Sequence, residues 1–179
     1  VADTAGNAMT STTVPSNNIA DSSAIVIDTS APTISSFSSS TSDGSYNAGD
    51  TINITATTSE SIQSGNTLTV TLDTGDTVVL TAASAGTTLT GTYTVSAGDT
   101  SSDLTVSSFS IGTVADTAGN AMTSTTVPSN NIADSSAIVI DTSAPTISSF
   151  SSSTSDGSYN AGDTINITAT TSESIQSGN

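Results

Sequence analysis

Residues 1–66 recur without a single change as residues 114–179, so the chain carries a repeat with an offset of 113 residues. Identity over so long a stretch does not arise by chance. A period of this size is too long for one turn of a solenoid and matches an independently folding domain. The chain therefore reads as a window on a tandem array. Its natural cut is the linker Asp28-Thr29-Ser30-Ala31-Pro32-Thr33, which returns as Asp141 to Thr146. Proline fixes φ and lacks an N–H, which ends one strand and stiffens the approach to the next. On that cut, residues 1–29 end one domain, 30–142 form a whole one, and 143–179 begin a third. The two end pieces lack the middle strands and are expected to bury no core alone. The natural chain is expected to be much longer.

Ser and Thr supply 73 of the 179 residues, against three Phe, three Tyr and no Trp or Cys. Disordered chains share such polarity, but not the order of residues found here. In Thr67-Leu68-Thr69-Val70-Thr71-Leu72 every second residue is aliphatic, and Ile52, Ile54 and Ala56 alternate with Asn53, Thr55 and Thr57. This period of two is the mark of half-buried strands. Thr suits them because its branched carbon packs on the pleat while its hydroxyl meets water. Seven strands are expected in the central domain, at about 33–39, 51–58, 67–72, 77–82, 88–95, 104–111 and 136–140. Turn formers such as Asp43-Gly44, Asp73-Thr74-Gly75-Asp76 and Gly98-Asp99 separate them. The apolar phase slips by one residue between Ile34 and Phe37, and again between Val106 and Phe109. A β-bulge at each Ser-Ser pair would restore the inward face. Seven strands in about a hundred residues predict an all-β, immunoglobulin-like seven-stranded sandwich, repeated in tandem.

Sixteen acids meet no lysine, arginine or histidine, for a formal charge of −16. Without His, Cys or Lys there is no nucleophile–base triad, Schiff-base lysine, zinc cluster or haem ligand, and an enzyme is not expected. Without Lys or Arg, nucleic acid is repelled. Disulfides and lysine-based isopeptide cross-links are impossible. The longest strongly apolar run, Ala137 to Ile140, is too short to span a membrane, and no targeting segment is visible. Carboxylates, amides and hydroxyls remain, a set suited to a hard cation such as calcium.

The acids of the central domain are expected at strand ends and in loops, none in a strand body. If the strands alternate in direction, the second returns to the upstream pole and delivers Glu60. The sixth does the same with the loop Asp116-Thr117-Ala118-Gly119-Asn120, and Asp28 enters there from the linker. By the same parity Asp43, Asp50, Asp73, Asp76, Asp99 and Asp103 lie at the opposite pole, where Asp141 and Glu173 meet them. Crowded carboxylates repel, and no basic side chain offsets the repulsion. A divalent cation held by six to eight oxygens would turn it into attraction and fix the angle between domains. The candidate ligands are Asp28, Glu60, Asp116 and Asn120 upstream, with Asp50, Asp99, Asp103, Asp141 and Glu173 downstream. The plainer alternative is a set of separately solvated turn residues.

The succession Ala48-Gly49-Asp50-Thr51-Ile52, Ser59-Glu60, Tyr93 to Asp99, Asp103-Leu104, Asp116 to Asn120 and Ile140 to Thr146 resembles the bacterial immunoglobulin-like tandem repeats of giant secreted surface adhesins. The match covers the whole period. The resemblance implies an extracellular stalk at the bacterial surface, with calcium at its domain junctions on Asp28, Glu60 and Asp116, and on Asp141 and Glu173 one repeat later. The expected function is then a structural spacer whose partners are the neighbouring repeats of its own chain. The alternative is a self-assembling surface layer, sheath or fibre in which other copies of the protein are partners. A carbohydrate-binding module finds little support in so few aromatics.

Overall fold

The computed structural model describes residues 1–175; the last four residues of the 143–179 piece lie outside it. The described strands are β1 (Ile34–Ser38), β2 (Gly44–Tyr46), β3 (Thr51–Ile62), β4 (Thr67–Leu72), β5 (Thr77–Thr81), β6 (Gly86–Thr94), β7 (Thr100–Ser101), β8 (Val106–Ile111), β9 (Ile138–Asp141), β10 (Ile147–Ser151) and β11 (Thr168–Thr171). All seven expected strands are present. Two very short ones, β2 and β7, join them because Gly44–Tyr46 pairs in parallel with Ile138–Ile140 and Thr100–Ser101 pairs on its other side.

The protein is thus mainly strands in antiparallel sheets. One sheet runs β1-β3-β6-β5-β4-β8, with antiparallel pairing at every step, and a second runs β2-β9-β7. The six main strands alternate in direction along the chain, as the parity argument requires. The larger sheet is really two threes: β5 and β6 join through the single pair Thr81 and Thr90. Gly91 permits that approach, since a Cβ there would lie 2.6 Å from the Val79 carbonyl oxygen. Although β1 and β8 are opposite edges, the rings of Phe37 and Phe109 meet edge to face with centroids 5.7 Å apart. The sheet therefore curls until its two edges face each other across the core.

Both phase slips are bulges. The β1 register shifts between Ile34 and Ser36, and the β4–β8 register shifts where Ser107 is extra. Ile34, Phe37, Val106 and Phe109 all point inward as a result. Serine suits the extra position because its hydroxyl can bond the partner strand. Ser35 Oγ donates to the Thr57 carbonyl at 3.0 Å, and Ser107 Oγ to those of Thr71 and Leu72 at 3.0 and 3.2 Å.

One expectation is corrected. β3 does not stop near residue 58 but continues to Ile62, so Glu60 sits inside a strand. Its pairing with β6 lapses between Thr57 and Ile62 and resumes as Ile62 meets Gly86. Ile62 also bridges to Asp116 and is fully buried. That apolar anchor carries the strand through the polar run Ser59-Glu60-Ser61.

Every residue of the hydrophobic core lies between Ile34 and Ile140. Local structure nevertheless repeats outside it. The pair β10–β11 copies the register and bulge of β1–β3, with Phe150 opposite Ala169 as Phe37 is opposite Ala56. Phe37 is 1% exposed and Phe150 72%. Phe37→Ala is therefore expected to cost about 3–5 kcal/mol in urea unfolding. Phe150→Ala, the same change in the same local sequence, should stay within about 0.5 kcal/mol.

Candidate metal centre

The loop Asp116–Asn120 is closed by its own first residue. Asp116 Oδ1 accepts from the N–H groups of Gly119 and Asn120 at 2.6 and 2.7 Å, and Asn120 Nδ2 donates to Oδ2 at 2.7 Å. Gly119 has φ +99°, the left-handed conformation such a turn needs. Residues Asp3–Asn7 close the same way, with Asp3 Oδ1 accepting from Ala5 and Asn7 and Oδ2 from Asn7 Nδ2. The geometry is therefore a local property of Asp-x-Ala-Gly-Asn. What the complete domain adds is position, through the Ile62–Asp116 bridge and a 3.0 Å bond from Gln63 Nε2 to the Asp116 carbonyl.

Three segments meet at this corner. Asp28 arrives from the linker, Glu60 from the unpaired stretch of β3, and Asp116 from the loop. Each offers a carboxylate oxygen, and these oxygens lie within 4.8 Å of one another. Asp116 is buried, Glu60 half-buried and Asp28 exposed. Asn120 ties the linker in by donating from Nδ2 to the Asp28 carbonyl at 3.1 Å. Ser30 N–H occupies Asp28 Oδ1 at 3.0 Å. No donor reaches the Glu60 carboxylate among the described residues.

The electrostatics follow from these contacts. Partial desolvation, then the negative charges of Asp28 and Asp116, push the Glu60 carboxyl above its ordinary pKa. Burial also works against ionised Asp116, but the Asn120 side chain and the N–H groups of Asn120, Gly119 and Ala118 outweigh it and hold its carboxyl below the usual range. Two anions are thus tethered or solvated while a third is crowded against them. The donor set is all oxygen, drawn from three segments, with lone pairs left on every carboxylate. It fits a hard divalent cation, for which Asp28, Glu60 and Asp116 would be ligands and Asn120 would orient Asp116.

The opposite pole differs. Among the described residues, Asp50, Asp99, Asp103, Asp141 and Glu173 enter no group of three or more metal-type side chains. Most of the acids there are engaged locally. Asp50 Oδ2 accepts from Asn47 N–H at 2.8 Å, and Asp141 Oδ1 from Ser143 N–H at 3.0 Å. Asp99 Oδ2 accepts from Tyr93 OH at 2.5 Å and Ser96 N–H at 2.7 Å, while Asp73 takes Ser101 Oγ at 2.6 Å and Thr105 N–H at 3.1 Å. Asp141 and Glu173 are the repeat equivalents of Asp28 and Glu60. Their third partner would be the Asp116 equivalent, 113 residues further on and outside this sequence. Sequence reasoning overlooked Gln63 and Ile62, which fix the loop; the signal was the isolated Ile62 beyond the polar run.

No protein-family model matches the chain, and no match was found among curated proteins or among solved structures.

The pKa shifts give a signed pH dependence for protein held in chelator. A raised Glu60 contributes stability below its unfolded pKa of about 4.3, lost as pH rises through its folded value. Asp116 contributes in the opposite sense, above its unfolded value of about 3.9, and loses it as pH falls through its folded one. Urea midpoints measured against pH should therefore decline above about pH 4.3 in the wild type. That decline should flatten in Glu60→Gln, and equal slopes in the two proteins would refute the repulsion.

Proposed function

We propose that this chain is part of an extracellular structural spacer, a stalk of tandem domains stiffened by calcium at each junction. The observation that carries the reading is the corner where linker, strand and loop bring three carboxylates within 4.8 Å of one another, in a chain with no basic side chain. One of the three comes from the linker itself. A cation there would join the incoming chain to the following domain, and such a bond is what a rod needs and a lone globular domain does not.

The strand arrangement supports the finer fold reading. The pairings β1-β3-β6 and β5-β4-β8, linked by one residue pair and closed by Phe37 against Phe109, suit two halves of an immunoglobulin-like sandwich. Strands of this length with their loops give about 40 Å per domain. The resemblance to secreted surface adhesins supplies the setting: a bacterial cell surface where repeated modules hold a distal binding domain away from the cell.

Calorimetric titration of the full chain with calcium tests the reading. One site is expected, lost in Asp116→Asn and weakened in Glu60→Gln. At a hundred times its Kd, calcium should add about 2.7 kcal/mol of stability, raising Tm by several degrees (about 4–8 °C per kcal/mol for a domain near 100 residues). A titration without heat and without a shift in Tm would dismiss calcium as the stiffener.

A further inference from the structure

The two linkers are one sequence in two settings. Asp28–Thr33 has a complete domain after it, and Asp141–Thr146 has a complete domain before it. Each setting displays one half of a junction.

In the second setting the strand runs directly into the linker. Asp141, the last residue of β9, pairs with Thr100 of β7. The Thr142 hydroxyl then accepts from Gly98 N–H at 3.0 Å and donates to the Asp99 carbonyl at 3.1 Å. Both groups belong to the turn between β6 and β7, which Asp99 holds through its bonds from Ser96 N–H and Tyr93 OH. Thr142 is half-buried there, whereas Thr29, its equivalent, is exposed.

In the first setting the attachment is to the domain that follows. Pro32 is buried. Thr33 N–H donates to Ser59 Oγ at 3.0 Å, and the Thr33 carbonyl accepts from Ser59 N–H at 2.9 Å. Thr146 and Ser172 repeat both bonds, at 2.9 and 2.8 Å, although Pro145 is exposed.

Superposing the two halves by their identical sequence, we infer that each linker is clasped from both sides and that Thr142 is the positioning residue on the upstream side. Thr142 holds the linker to the domain before it, and Thr146 holds it to the domain after it. Ser143, Ala144 and Pro145 lie between the clasps, and the Ser143 N–H is itself closed onto Asp141 Oδ1 at 3.0 Å. Thr142 therefore aims the neighbouring Asp141 carboxylate away from its own domain, toward Glu173. The aiming rests on the calcium reading, but the clasp does not.

Backbone ¹⁵N relaxation and amide exchange on the full chain in chelator test the clasp without metal. In the wild type, residues 141–143 are expected to share the order of the sandwich, with S² about 0.85, and Gly98 N–H to be protected. Thr142→Val should lower S² at 142–144 below about 0.6 and speed Gly98 exchange about tenfold, the worth of one net hydrogen bond. Thr142→Ser should restore both. Unchanged order and exchange in Thr142→Val would overturn the inference, as would an unprotected Gly98 in the wild type, whichever way the variant folds. Calcium binding at Asp28, Glu60 and Asp116 is read separately by titration. A chain that binds no calcium yet keeps the clasp sinks the metal reading alone.

Discussion

A chain with carboxylates and no basic side chain must satisfy its negative charge with hydrogen-bond donors, and most of the structure's polar detail follows from that constraint. Asp43 takes the Ala137 N–H, Asp134 the Asn131 N–H and Asp73 the Ser101 hydroxyl. These bonds close turns, fasten β2 to β9 and hold the β7 segment, so the acids serve as the domain's fasteners. The abundance of Ser and Thr has the same logic, since hydroxyls donate where lysine and arginine are missing. Glu60 is the exception. It is held beside two other carboxylates, with repulsion where its neighbours have donors. That contrast separates the upstream corner from every other acid in the domain.

Much of this was legible in the sequence, and the reasons are specific. Alternation of Thr with Leu, Ile and Val marked the seven main strands, and the slips at Ile34–Phe37 and Val106–Phe109 marked the bulges. The gathering of Asp28, Glu60 and Asp116 followed from strand direction alone, because antiparallel neighbours return their ends to the same pole. The end of β3 was not legible, since Ser59-Glu60-Ser61 breaks the alternation and only the tertiary bridge from Ile62 to Asp116 keeps the strand going. Nor were β2 and β7, whose two or three residues look like turns until β9 pairs with them. Asn131 caps the short 3₁₀ turn Ile132–Asp134, a capping box visible as Asn-x-x-Asp yet easily taken for loop. At the downstream pole parity placed the acids together, but local donors engage most of them singly.

The repeat also separates what neighbouring residues decide from what a whole domain decides. The hairpin at Ile147–Ser151 and Thr168–Thr171 has the register of its twin, including the bonded bulge at Ser148. Asn18 caps its turn as Asn131 does. Pairing, bulging and capping are thus written in adjacent residues. Burial is not: it depends on β4 to β8, and without them Phe150 and Ile147 stay in water.

The Asp3–Asn7 loop has a consequence for how such arrays are put together. It holds its closed form with no sandwich beneath it, so the entropy of shaping that turn is settled by seven consecutive residues at most. In an emerging polypeptide each anionic hook is then ready before its module condenses. Joining one unit to the next becomes a matter of catching a preformed piece, and the order in which units leave the cell need not matter.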